Sequence, residues 1–424
     1  MLNWASQFNI CCLLDNNDYP SVHHQYEAVL AADALTTLEK PAGNAFPELL
    51  KFHHTQQDWI FGHLAYDLKN EVVPGLYSQN HDGIGFPDLF FFQPRILMLL
   101  EKNQISIGAP ELSREEALSI LNDCRQYPAT TAASTAVLSQ PIQARLHHDK
   151  YIDAVKSLQE HILRGDCYEV NFCRENYIEN ADVYPPALYR RLNALNPAPF
   201  AAFYRVDDKY MVCSSPERFM QKKGTHVISQ PIKGTSKKDP DPVKDDALKT
   251  ALYNNPKERA ENVMVVDLVR NDLSHAAIRG SVKVNELFGI YSFAQVHHMI
   301  STVAAELPAD QPFTEVLQTT FPMGSMTGAP KISVMQLIES HEATRRGLYS
   351  GAVGYITPSG DFDFNVVIRS ILYNETAKYL SFQTGSAITF YSDPEKEWEE
   401  CLLKAAALRT VITDAETVVP SPGQ

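Results

Sequence analysis

Two pairs of glutamates, one lysine in a tight turn and one histidine in an apolar run are placed where they can do chemistry. Glu258 and Glu261 stand three apart just after Pro256, and Glu397 and Glu400 stand three apart just after Asp393-Pro394. Proline suits the first turn of a helix and Asp is a favoured cap, so each pair is predicted on one face of a helix. Two carboxylates on each of two helices make either two solvated acidic faces or an oxygen-only site for a hard cation such as Mg2+. Lys233 lies in Ser229-Gln230-Pro231-Ile232-Lys233-Gly234-Thr235, the end of a strand, a stiff turn and a permissive glycine. It is either a surface-turn side chain or a desolvated amine, which can lose its proton near neutral pH and become a nucleophile. His298, in the strand-like run 294–303, is either a satisfied core residue or a general acid or donor to a substrate.

Two glycine-containing stretches add backbone N–H groups. Phe321-Pro322-Met323-Gly324-Ser325-Met326-Thr327-Gly328-Ala329-Pro330-Lys331 opens a helix at Pro330, and a helix N-terminus favours an anion. It is not a phosphate-binding Walker motif, because Ala-Pro precedes Lys331 and Ile332 follows it; a carboxylate-like ligand fits better than a nucleotide. Thr384-Gly385-Ser386-Ala387-Ile388 is predicted as a turn after a strand, and Arg369, at the end of the strand Val366-Val367-Ile368, can pair bidentately with a carboxylate. Taken singly, each of these features is more often structural than functional.

The elements that must position these residues follow from periodicity. Residues 26–39 carry Ala31, Ala34, Leu35 and Leu38 at the spacing of one helix face, and 59–68 read as a strand followed by a turn. Residues 88–101, with Leu89-Phe90-Phe91-Phe92, read as buried strands, and 113–125 as a short helix capped by Ser113 with Glu116 three later. The Ala/Thr/Ser-rich stretch 130–139 has no periodicity and marks a boundary, dividing the chain into regions 1–139 and 140–424. Beyond it, 148–164 is an amphipathic helix stopped by Gly165, 167–172 a strand, and 201–204 with 210–214 a hairpin around Asp207-Asp208.

Composition narrows the class. The chain has 424 residues, 44% hydrophobic and 21% charged, an ordinary globular mixture with length for a large core. A net charge of −14 without a basic stripe argues against nucleic acid as a partner. No basic and apolar leader and no membrane-length apolar run is visible, so a cytoplasmic protein away from membranes is expected. The 7 cysteines have no repeated spacing, which points to reduced thiols rather than disulfides or a zinc site.

Together these segments resemble the chorismate-utilising family, which includes anthranilate synthase component I, aminodeoxychorismate synthase component I and the isochorismate and salicylate synthases. The resemblance is carried by Ser215-Pro216-Glu217-Arg218-Phe219, the Lys233 turn, Glu258 with Val266-Asp267-Leu268-Val269-Arg270-Asn271-Asp272-Leu273, residues 298–301, 321–331 and 347–355, Ile368-Arg369-Ser370, and 393–404. It runs from about 148 to 408, with a weaker match at 62–68. The Pro-Ile-Lys-Gly-Thr turn is similar to the aminodeoxychorismate synthases; anthranilate synthases usually have Ala at the place of Lys233. Isochorismate and salicylate synthases place a water-activating Lys where this chain has Glu169, and the amine-transferring branches usually have Gln there, so Glu169 departs from both.

The resemblance implies an α+β fold, a large antiparallel β-sandwich flanked by helices, with the N-terminal region in the same body. It implies Mg2+ held by Glu261 and Glu400 with Glu258 and Glu397 close by, and chorismate bound through its ring carboxylate. Neutral Lys233 would attack ring C2 while Glu217 protonates the departing C4 hydroxyl, and ammonia would then add at C4 and expel the lysine, giving 4-amino-4-deoxychorismate for 4-aminobenzoate and folate synthesis. His298 would serve the same site. Tyr349, Arg369 and the stretch Gly385, Ser386 and Ala387 would hold the side-chain carboxylate, with Ala387 where the family usually has Gly, and Thr235, Thr327 and Gly328 would complete the pocket. No Gly-x-Cys-x-Gly glutaminase elbow is present, so ammonia is expected from a separate glutamine amidotransferase subunit or from solution, and the lyase step from another enzyme. Two other readings stand beside this one: anthranilate synthase component I, and a non-catalytic homologue that binds a metabolite.

Overall fold

The computed structural model describes residues 1–20, 23–102, 104–127 and 140–413. Its strands in chain order are β1 (Ile10–Asp15), β2 (Ala28–Lys40), β3 (Ile60–Leu64), β4 (Leu89–Glu101), β5 (Gln104–Gly108), β6 (Gln143–Ala144), β7 (Glu169–Ile178), β8 (Phe200–Val206), β9 (Lys209–Ser215) and β10 (Arg218–Lys223). There follow β11 (His226–Gln230), β12 (Ile232–Lys237), β13 (Lys283–Ser292), β14 (Val296–Glu306), β15 (Gly328–Ala329), β16 (Ala352–Ile356), β17 (Phe362–Val366), β18 (Ser370–Asn374) and β19 (Tyr379–Ile388). Antiparallel ladders link them in the order β7, β19, β18, β9, β8, β1, β2, β4, β3, β16, β17, β10, β11 and β14. β12 and β13 both join β14, β15 and β6 join β7, and β5 joins β4.

This ribbon folds over on itself at β2 and β4. In β2, Asp33 takes a left-handed backbone (φ 59) and the register shifts between Ala34 and Thr36, opposite Pro94 of β4. A bulge of this kind bends a strand and increases its twist. One core fills the space between the layers, with Val29, Ala31, Tyr204 and Met211 from one side and Phe61, Phe91, Val353 and Phe364 from the other. Burying each such Phe contributes about 2 kcal/mol. Leu30, Ala32, Phe203, Val212 and Phe382, on the opposite faces of their strands, meet Leu188 and Leu192 of the helix Pro185–Leu195 and Leu408 and Ile412 of the helix Pro394–Thr413.

The two cores explain one correction. Residues 26–39 are not a helix; most of that stretch is β2. Residues 28–32 are buried on both faces, so no polar–apolar alternation marks the strand, and the bulge at Asp33 resets the register. The remaining apolar positions fall by accident at helical spacing. Several expected elements stand: β4 covers the Phe-rich run, Ser113 and Glu116 form a capping box on the helix Arg114–Gln126, and Gly165 ends the helix His148–Arg164 with φ 85. The hairpin between β8 and β9 turns through Asp207-Asp208. The boundary expected at 130–139 lies outside the described residues. The fold is α+β with an antiparallel sheet, and all seven cysteines are free.

Candidate active site

β12 and β14 supply one wall. Lys233, Gly234 and Thr235 lie on β12 itself, immediately after the proline turn, and Thr235 faces His298 across the ladder, with Thr235 Oγ1 2.9 Å from His298 Nδ1. The helix Pro256–Ser274, capped by the Asn255 side chain, crosses this wall. Its Asn262 accepts a hydrogen bond from Ser301 Oγ of β14 at 2.6 Å and reaches the Lys233 carbonyl at 3.5 Å. The approach is close enough to require glycine at 234: φ is +97, and a Cβ there would fall 3.1 Å from Glu258 Oε2.

The opposite wall is β19 with the helix Pro394–Thr413. Asp393 caps that helix through the Glu395 amide at 3.0 Å. Lys404, four residues after Glu400, pairs with it at 2.6 Å and donates to the Gly385 carbonyl at 2.8 Å, tying helix to strand. Gly385, Ser386 and Ala387 are therefore inside β19 rather than in a turn. Gly385 is small because β7 lies against it: a Cβ would sit 2.5 Å from Cys173 Sγ. Ser386 Oγ lies 3.0 Å from Tyr151 OH. Arg369, with φ 51, donates to the Lys404 carbonyl at 3.2 Å, and both Tyr349 and Glu400 bear on its charge.

The carboxylates of the two helices act on one another electrostatically. Burial, followed by Glu261, raises the pKa of Glu258; burial also raises Glu261 and Glu397, and Glu400 adds to the shift in all three. Burial works against the charge on Glu400 too, but Lys404 outweighs it and holds this carboxyl below its ordinary value. The donor set is oxygen only and repels itself, which fits a hard cation in kind. Among the described residues, however, no three His, Cys, Asp or Glu side chains are drawn into a ready coordination sphere.

Lys233 is largely enclosed, its side chain 13% exposed, and its Nζ is 2.8 Å from Glu169 Oε1 at the start of β7. Burial disfavours its charge, but Glu169, and after it Glu261 and Glu400, overcome that penalty and raise its pKa. This corrects the expectation of a resting neutral amine: desolvation alone would free the lone pair, but here a buried carboxylate holds the proton on nitrogen. Glu217, between β9 and β10, is buried and pushed up to about 7 by desolvation, despite Ser325, Lys233 and the Ile232 amide. Burial brings His298 down to about 3, with Arg369 adding to the effect, so it is a neutral imidazole and not a cationic acid.

The glycine-rich loop is fastened rather than open. Lys331 pairs with Asp272 at 2.6 Å and donates to the Thr320 carbonyl at 3.0 Å, so its charge is committed within the protein. Thr327 Oγ1 bonds the Met323 carbonyl at 3.2 Å, and Gly328 (φ +136) lies flat against the Glu169 carbonyl. Arg346, fully buried, donates to the carbonyls of Met326 (2.7 Å) and Asn171 (2.8 Å) and pairs with Glu342 at 2.7 Å. Sequence reasoning missed Lys404, although its i,i+4 spacing from Glu400 was visible, and it missed Ser325, Asn262 and Arg346. Ser325 and Asn262 act across long sequence separations and left no local signal, whereas Arg346 stands four residues after its partner Glu342, a spacing that was visible.

The chain matches the chorismate binding enzyme family over residues 11–410. It belongs to that family. Aminodeoxychorismate synthase component 1 of Bacillus subtilis is 31% identical over 390 residues, covering 90% of this chain and 81% of that protein. Anthranilate synthase component 1 of Cereibacter sphaeroides is 30% identical over 414 residues, covering 93% and 80%. The crystal structure of anthranilate synthase component I from Streptococcus pneumoniae superposes with a TM-score of 0.79 at 25% identity, over 92% of this chain and 93% of that one. The chain is thus a chorismate-utilising enzyme of the family, with the anthranilate synthase component I fold. Among the described residues no helix is long and apolar enough to cross a membrane.

Proposed function

We propose that this family member aminates chorismate at C4, giving 4-amino-4-deoxychorismate, through a covalent bond to Lys233. The observation that carries the reading is the position of Lys233 Nζ: enclosed, and under the influence of Glu217, Glu261 and Glu400. An amine set beside an acid with a pKa of about 7 is suited to a displacement in which one group attacks and the other protonates what leaves. Glu217 would give its proton to the C4 hydroxyl. His298, fixed by Thr235 and neutral, would donate to or accept from the substrate without carrying charge. Arg369 and Tyr349 would hold the side-chain carboxylate, with β19 from Gly385 to Ala387 as the floor of that subsite, and Thr327 and Gly328 would shape the pocket through their backbone.

Glu261 and Glu400, with Glu258 and Glu397 beside them, would hold Mg2+. When bound, the ion would neutralise the ring carboxylate and draw electrons from the ring. Ammonia would come from a glutamine amidotransferase partner, in keeping with the "component 1" in the relatives' names. Folate precursor synthesis in the cytoplasm is the setting this chemistry suits.

The second reading is anthranilate synthesis, favoured by the Cereibacter relative. Purified protein with chorismate, Mg2+ and ammonium salt separates the two. Yield of 4-aminobenzoate that depends on added lyase supports C4 amination; anthranilate fluorescence without lyase overturns it.

A further inference from the structure

Lys233 is aimed by an irregularity in its own strand. Ile232 pairs with Ile300 and Thr235 with His298, so Lys233 and Gly234 of β12 stand together against Met299 of β14. Gly234 takes φ +97 there. A bulge of this kind breaks the regular ladder and re-aims a side chain. A second irregularity lies on the other neighbour of β14. In β13 the register shifts between Glu286 and Gly289, and Phe288 has φ 63.

One chain of hydrogen bonds joins the two bulges. The Phe288 amide donates to Ser301 Oγ at 3.1 Å, Ser301 Oγ donates to Asn262 Oδ1 at 2.6 Å, and Asn262 Nδ2 reaches the Lys233 carbonyl at 3.5 Å. The Ser301 amide also bonds the carbonyl of Pro231, two residues before Lys233, at 3.2 Å. Asn262 and Ser301 are both buried, so water does not compete for these groups. Asn262 comes directly after Glu261 on the helix Pro256–Ser274. Its amide therefore ties three things together: the acidic helix through its own backbone, β14 through its oxygen and the Lys233 bulge through its nitrogen.

We propose that Asn262 is a positioning residue, which fixes the bulge that presents Lys233 and sets that amine against the acidic helix. The inference rests on Lys233 being the nucleophile. Attack needs the reacting atoms about 3–3.5 Å apart and aligned, and a misplacement of about 1 Å costs on the order of 100-fold in rate. In this site the amine comes from β12 and the carboxylates Glu258 and Glu261 from the helix, so the register between strand and helix decides the approach. In the step concerned, the neutral Lys233 amine forms the Nζ–C2 bond and the C4–O bond breaks. The hydroxyl leaves as water on the Glu217 proton, and the new ammonium returns a proton to Glu217. The adduct is chorismate less one water.

Intact-protein mass spectrometry in ammonia-free buffer with Mg2+ follows that adduct at a series of chorismate concentrations. In Asn262→Ala the maximal rate of adduct formation is expected to fall about 100-fold. The half-saturating chorismate concentration is expected to stay within about threefold of the parent, because what is lost is alignment and not binding. Adding Ser301→Ala to Asn262→Ala is expected to slow the adduct no further, since the two act as one unit. A parent-like rate in folded Asn262→Ala overturns the role of Asn262 and leaves the Lys233 reading standing. A loss of rate matched by an equal rise in half-saturating chorismate means general loosening of the site and also overturns it, as does a multiplied loss in the double variant. Should Asn262→Ala not fold by circular dichroism, Ser301→Ala alone takes its place, with a rate about tenfold below the parent expected and a parent-like rate overturning the proposal. Absence of the adduct in the parent, or parent-like product formation by Lys233→Ala, overturns the Lys233 reading and this inference with it.

Discussion

Asp272, near the end of one acidic helix, and Lys331, at the start of the helix that follows the glycine-rich loop, form a nearly buried ion pair 2.6 Å long. The pair fixes the loop to the helix that carries Glu258 and Glu261. Removing one partner leaves an uncompensated charge in a place with little water. Lys331→Ala is expected to lower stability by about 3 kcal/mol in urea unfolding. A loss below about 0.5 kcal/mol, the level of an ordinary surface change, would contradict this role.

Glu217 titrates near 7 when folded, against an ordinary value of 4.5. Between these two pH values the folded state binds the proton and the unfolded state does not, so Glu217 makes stability fall as pH rises, by up to about 1.4 kcal/mol per pH unit. The neutral isostere Glu217→Gln removes that slope and is expected to be more stable than the parent at pH 8. Equal stabilities at pH 8 would mean that the carboxyl is not desolvated. The same titration limits catalysis: adduct formation in the absence of ammonia is expected to fall above pH 7, as the acid is lost.

Glu261→Ala is expected to shift the Mg2+ titration of activity to higher concentration by at least tenfold, because the ion loses a carboxylate that its other ligands do not replace. An unchanged titration curve would remove Glu261 from the ligand set.

Gly234→Ala places a methyl group 3.1 Å from Glu258 Oε2 on a backbone with φ +97. The expected cost is about 1–2 kcal/mol, with a larger fall in activity than in stability, since the strain falls between Lys233 and the acidic helix. Parent-like turnover would show that the wall can shift without consequence.

How much of this was legible in the sequence depends on the range of each interaction. The capped helices, the Phe-rich strand and the hairpin at Asp207-Asp208 were readable because their signals are local. β2 was not, because a strand covered on both faces and broken by a bulge at Asp33 loses its period of two. At the site, Glu258, Glu261, Glu397 and Glu400 were visible as spaced pairs. That they act on one another depends on β12, β14 and β19, which bring together residues more than a hundred positions apart. Lys233 was identified as the amine, but its charge was misjudged, because the residue that sets it, Glu169, lies 64 positions away.

The central claim is that Lys233 forms a bond to the substrate. Parent protein should be mixed with chorismate and Mg2+ in ammonia-free buffer, quenched, digested and mapped by mass spectrometry. The account predicts chorismate less one water attached to the peptide at Lys233, and its disappearance when ammonium is added. An unmodified Lys233 in a preparation that turns over normally with ammonia would contradict it.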